Sequence, residues 1–174
     1  KPISRTGIVL SKWIAATIYT LIMTVWLGFL SLFVAKWMFG TGDLIVLNSN
    51  GLLIIPEADL AWRFGLALLI AFLALWTVAT LSLAFSAFAK NSVGPIVSTM
   101  SVIILFTIIG TLDVSVFDSI KPYMFTTHMA AWRSVFEDPY PTSAIWESVL
   151  ILVAHIAVLL GITLIRFNKK DITS

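Results

Sequence analysis

Four long apolar stretches divide this chain, with short polar segments between them. Uncharged runs occupy Trp13–Ala35, Phe64–Ala89, Asn91–Leu112 and Ser148–Ile165. Each reaches or approaches the roughly 20 residues that a helix needs to cross about 30 Å of hydrocarbon. The pattern predicts an all-α integral membrane protein in one transmembrane domain. Its four spans cover about residues 13–39, 62–89, 94–112 and 145–167.

The connecting segments carry patterns of their own. Residues 1–12 are short, basic and amphipathic; Pro2 suits a first helical turn, and Ile3, Ile8, Val9 and Leu10 supply an apolar side. Trp13 and Trp37 are placed to stand at the two membrane interfaces. Within 40–61, two runs rich in β-branched and aliphatic residues flank Asn48-Ser49-Asn50-Gly51, and Asn-Gly is a strong hairpin signal. Pro56 would stop the second run. The segment reads as a small external hairpin or, alternatively, as an irregular apolar loop resting on the bilayer. In the second span, Ser82 and Ser86 sit four residues apart, a spacing that lets a neighbouring helix approach closely. A tight turn, Ala89 to Pro95, follows. The other external segment, 113–144, is too polar and interrupted to span. Phe125, Met129, Trp132 and Phe136 form an apolar stripe opposite Lys121, Thr127 and Arg133, which predicts a helix lying in the interface or dipping into it. Pro139 and Pro141 end it, and 168–174 is a short polar tail.

Charge orients these elements. Lys1, Arg5, Lys12, Lys90, Arg166, Lys169 and Lys170 fall on one side of a four-pass topology, with Asp171 the single acid among them. The other side takes Asp43, Glu57, Asp59, Asp113, Asp118, Glu137, Asp138 and Glu147 against Lys36, Arg63, Lys121 and Arg133. Lys and Arg near span ends are retained in the cytoplasm, so both ends of the chain are expected there, in a cell (inner) membrane.

Composition agrees. The chain is 59% hydrophobic and 11% charged, against about 45–50% and 25% in soluble domains. Its few bases cluster at span ends, without the interleaved basic and aromatic residues of a nucleic-acid groove, so no nucleic-acid partner is expected. Cysteine is absent, which removes disulfides, thiolate metal sites and a Cys nucleophile. The chain opens at Lys1 in a cytoplasm-like Lys-Pro-Ile-Ser-Arg stretch that is not a signal peptide. The expectation is a fragment whose upstream part is missing.

Candidate chemistry is sparse. No Walker-type phosphate loop, dinucleotide-binding glycine pattern, His-Glu-x-x-His pair or Gly-x-Ser-x-Gly elbow occurs. No cofactor, metal or catalytic set is expected. His155, near the middle of the last span, is the ionisable residue inside the predicted hydrocarbon. It reads either as a substrate-path group or as packing glue, a neutral imidazole bonded to a hydroxyl or carbonyl of another span.

The stretch Lys1-Pro-Ile-Ser-Arg-Thr-Gly-Ile-Val-Leu-Ser-Lys12 resembles the permease subunits of type-2 ABC exporters, in which a Pro-[Val/Ile]-Ser-Arg core leads into a span. Leu81 to Ser92 is similar to that family's inner turn between its fourth and fifth spans, and Arg166 to Asp171 to its tail after the last span. Such permeases commonly have six spans, so the chain would correspond to the back four. The resemblance implies a translocation path shared with a second permease copy or homologue, and a separate ABC ATPase subunit that hydrolyses the ATP. It implies a coupling role for Pro2–Lys12, with Pro2, Ser4, Arg5 and Lys12 at the ATPase. Plain positive-inside anchoring is the competing account of those charges. The rival for the whole chain is a non-transporting scaffold or assembly subunit.

Overall fold

A computed structural model describes residues 4–48, 51–89 and 91–169. Four helices in it are long and apolar enough to cross a membrane: α1 (Arg5–Phe39), α2 (Glu57–Phe88), α3 (Val93–Thr111) and α6 (Thr142–Lys169). Two one-turn helices, α4 (Ser115–Asp118) and α5 (Phe125–His128), lie between α3 and α6. At 1.5 Å per residue, α1 is about 52 Å long and α3 about 28 Å. The length of α3 matches a hydrocarbon core of about 30 Å, and the other three are longer.

Residues 5–12 are the first turns of α1, continuous with the span. Ser4 caps the helix, its hydroxyl accepting from the Gly7 amide at 3.1 Å. At the other end Gly40 takes φ 79° and returns its amide to the Lys36 carbonyl, which stops α1.

The bundle is organised around α2, which packs against α1, α3 and α6. Its buried positions fall at alternating spacings of three and four: Ala67, Ile70, Ala74, Thr77, Leu81 and Ala84, with Leu73, Thr80 and Ala87 alongside. Six of these nine are Ala or Thr, so neighbouring backbones come close. The sequence reading put the close-packing face on Ser82 and Ser86. Ser86 is exposed and Ser82 only half-buried; the buried small residues there are Thr80, Ala84 and Ala87. Trp13 is half-buried at the contact of α1 with α2. Its ring packs against that of Trp76, with centroids 5.1 Å apart and the planes tilted by 31°, and it donates its indole N–H to Thr80 Oγ1 at 3.1 Å. Elsewhere α1 buries only Val9, Thr24 and Gly28, and its Trp26, Phe29 and Phe33 form an exposed stacked ladder. An apolar surface of that kind suits lipid.

Between α1 and α2, strands β1 (Leu44–Asn48) and β2 (Gly51–Ile55) pair antiparallel, from Leu44↔Ile55 to Asn48↔Gly51. Gly51, at φ 126°, belongs to the ladder; Ser49 and Asn50 lie outside the described residues. Asp43 closes the base by accepting the Glu57 amide at 3.0 Å.

The 113–144 segment is not one interfacial helix. It is a succession of single turns: α4, a 3-10 turn at Lys121–Tyr123, α5, and a 3-10 turn at Ala131–Phe136. Met124, in extended conformation, breaks the run before α5, and Ala130 breaks it after. A 3-10 turn advances a face every third residue, so the stripe loses register. Phe125 is buried, but Trp132 is exposed and Val135 is the fully buried residue beyond it. The turns fold back onto the bundle, where Phe125 joins Leu73, Ala74, Leu81 and Leu152 in the main core.

α1 and α2 meet closely at Gly28, where an added Cβ would stand 2.6 Å from a Leu68 methyl. Gly28→Leu is expected to cost about 1–3 kcal/mol by overpacking. Thermal unfolding in detergent measures it, and Leu68→Ala in the same chain should restore part of the loss. An undiminished melting temperature in Gly28→Leu would mean that the helices do not cross there.

Candidate functional site

The polar side chains concentrate at the two ends of the bundle. At the basal end, where α1 begins and α6 finishes, Arg5 donates to the Asn168 carbonyl at 3.2 Å, and the Thr6 hydroxyl lies 3.4 Å from Asn168 Oδ1. The last carbonyls of a helix lack intrahelical donors and carry its negative dipole end, so a guanidinium is well placed there. Arg166 lies over the Phe88 ring at 5.4 Å, which brings the end of α2 into the same cluster. Three helix ends are thus tied together through Arg5 and Arg166.

Of the residues expected to face an ATPase, Arg5 is engaged with α6, Ser4 caps α1, and Lys12 is exposed one to two turns further along α1. Pro2 lies outside the described residues, as do Lys1, Lys90, Lys170 and Asp171 of the charge pattern.

At the opposite, distal end two polar groups that the sequence reading passed over are buried. Arg63 is 8% exposed and donates through one terminal nitrogen to the carbonyls of Val135, at 2.8 Å, and Glu137, at 3.0 Å. Its Nε is buried with no hydrogen-bond partner, and its guanidinium also lies 5.1 Å from the Trp62 ring centroid. Here a cation holds the end of a 3-10 turn with backbone oxygens instead of a carboxylate. His128 is also 8% exposed. Its Nε2 lies 2.7 Å from the Pro122 carbonyl and its Nδ1 2.9 Å from Ser148 Oγ on α6. A carbonyl can only accept, so Nε2 carries a proton. In the neutral ring Nδ1 therefore accepts, and the Ser148 hydroxyl turns to it and away from the Ala144 carbonyl that it otherwise meets at 2.9 Å. A cavity of about 320 Å³ adjoins the pair, lined also by Thr127, Ser134 and Ile145.

Both groups were detectable in principle. Arg63 continues the three-four spacing of Ala67, Ile70 and Ala74, and His128 stands three residues after Phe125 on the apolar stripe.

His155 is half-buried, with its ring 5.7 Å from that of Phe125. Its Nδ1 donates at 2.8 Å to Ile151, one turn back on α6 itself, and not to another span as expected. The buried threonines behave alike: Thr77, Thr80, Thr99 and Thr163 each donate to the carbonyl four residues earlier. Their polarity is absorbed within single helices. An apolar groove of about 420 Å³ consequently runs between α1, α2 and α3, past Tyr19, Met23, Leu75 and Met100. Among the described residues no cluster of three or more metal-ligating side chains occurs.

The fold is mostly helical, with four helices long and apolar enough to cross a membrane. Over residues 2–173 the chain matches the family described as "Protein of unknown function (DUF2705)", and it belongs to that family. No curated protein and no solved structure matches it.

Arg63→Met removes the donor that holds two carbonyls. We expect a loss of about 1–3 kcal/mol, the cost of leaving buried polar groups unpaired, read as faster amide exchange over 131–137 with α1 unchanged. Arg63→Lys should recover part of the protection. Equal exchange in all three proteins would show that Arg63 does not anchor the segment.

Proposed function

We propose that this chain is the membrane-spanning part of an ATP-driven, type-2 ABC exporter permease, acting with a second permease copy or homologue and a separate ATPase subunit. The observation that carries this reading is the basal linkage. A rigid α1 start, capped by Ser4, grips the end of α6 through Arg5 and reaches α2 through Trp13. A push on residues 4–12 would be shared among three of the four long helices. Such a lever suits a machine in which ATPase closure biases a helix bundle between two states.

The distribution of charge adds support. Among the described residues Arg5, Lys12, Arg166 and Lys169 belong to the basal half, and Asp43, Glu57 and Asp59 stand at the distal start of α2. On this reading the basal end is cytoplasmic, and the hairpin and the 113–144 turns are external, in a cell membrane. The groove between α1, α2 and α3 would contribute one wall of the path, and its apolar lining favours an apolar or amphipathic cargo. The rival scaffold reading uses the same packing but needs no ATPase at the basal end.

Sidedness is checked by single cysteines placed in this Cys-free chain at Ser92 and Ser143. An impermeant thiol reagent added to intact cells should label position 143 and spare position 92. Labelling of 92 would reverse the proposed orientation.

Coupling is checked by Arg5→Glu. It should weaken co-purification with the ATPase or separate ATP hydrolysis from transport, while the chain still inserts; Lys169→Glu serves as the control for general charge effects. Equal damage from both substitutions, or none from Arg5→Glu, would favour anchoring and the scaffold reading.

A further inference from the structure

The β1–β2 ladder has two faces of different character. Its register pairs Ile45 with Ile54 and Leu47 with Leu52 on one face, and Leu44 with Ile55 and Val46 with Leu53 on the other. The second face is turned inward: Ile55 is 2% exposed, and Leu44, Val46 and Leu53 are half-buried. The first is open along its length, with Ile45, Leu47, Leu52 and Ile54 between 62% and 81% exposed. No ionisable residue occurs from Leu44 to Pro56. A two-stranded ladder is marginal in water, and an all-aliphatic open face makes it more so.

We propose that this open face is a membrane-contact surface: the hairpin lies along the lipid interface and sets Ile45, Leu47, Leu52 and Ile54 into the boundary between headgroups and acyl chains.

Position selects the occupant. Four residues, Gly40 to Asp43, separate β1 from α1, and Pro56 alone separates β2 from α2. Both flanking helices are long and apolar enough to span, so the ladder is held at the end of two spans. The exposed Trp37, Phe39 and Trp62 flank it as interface aromatics do. The apolar face therefore continues a lipid-facing surface through the chain itself. Depth is limited by the backbone. A two-stranded ladder leaves an unpaired edge on each strand, which is too costly within hydrocarbon but is satisfied by water and headgroups. An interfacial element buries its apolar face about 5–10 Å into the boundary, which suits one layer of side chains.

A second copy of the chain fits less well. Pairing edge to edge would extend the sheet in its own plane and leave the open face bare. Packing face to face would engage four side chains, well short of the roughly 20–30 residues a side of a stable protein interface.

The experiment uses the whole chain in phosphatidylcholine vesicles, with single cysteines at Leu47 or Leu52 carrying an environment-sensitive fluorophore and one at Ser143 as a solvent reference. Emission at 47 and 52 should be blue-shifted relative to 143, quenched by lipid bearing a nitroxide high on its acyl chain, and shielded from aqueous iodide. Strong iodide quenching without nitroxide quenching would overturn the proposal by placing the face in water. Shielding from both quenchers, with self-quenching that grows as protein density rises, would overturn it in favour of a second copy. Leu47→Asp with Leu52→Asp gives an independent reading: label at Ile54→Cys should lose its nitroxide quenching while α1 and α2 stay inserted, and unchanged quenching would also overturn the proposal.

Discussion

Close approach of backbones along one stripe of α2 is the constraint on which the rest of the structure depends. Lipid tails are as apolar as leucine, so no hydrophobic force draws the helices together once they are inserted, and van der Waals packing must do it. Ala67, Ala74, Thr77, Thr80, Ala84 and Ala87 provide the flat surface that this requires. Gly28 on α1 answers it from the other side, where Leu68 fills the space a side chain would have taken. α1 and α3 bury little else and turn most of their bulk outward. The bundle is a central helix with three helices laid on it.

Threonine makes that arrangement compatible with an apolar surrounding. A hydroxyl turned to the carbonyl of the preceding turn is satisfied without a partner on another helix, so Thr77 and Thr80 are buried at almost no polar cost. Polar contact between elements is then reserved for a few places: Trp13 with Thr80, Arg5 with Asn168, Arg63 with the carbonyls of Val135 and Glu137, and His128 with Ser148. Each joins elements far apart in sequence, and each lies toward an end of the bundle or at a helix crossing.

The two ends differ in kind. At the basal end the links run between the long helices themselves, which suits the transmission of force. At the distal end they attach a broken segment to α2 and α6: Arg63 holds its later turn by backbone oxygens, and His128 ties its middle to Ser148. Phe125, seated among Leu73, Ala74 and Leu152 and against His155, sets how deeply that segment enters. The permease function proposed above would use this contrast, with one end driven and the other able to part.

The sequence by itself determined that four helices are long and apolar enough to span, where the polar connections fall, and how the charges sort along the chain. Those follow from composition and run length, which depend on the cost of moving each residue from water to hydrocarbon and not on its neighbours. Which side of each helix meets another helix was not legible in the same way. Lipid and protein interior are equally apolar, so hydropathy separates faces poorly, and Ser82 and Ser86 pointed to a face that the bundle leaves largely open. Only the tertiary structure decided that Trp13 packs on Trp76, that Arg5 grips α6, and that His155 turns to its own helix. It also decided that the stripe from Phe125 to Phe136 breaks into separate turns, with Arg63 and His128 as its anchors. The physical reason is common to all of these. A polar group in an apolar setting must find a partner, and which partner lies within reach is fixed by how the helices cross, which no local pattern records.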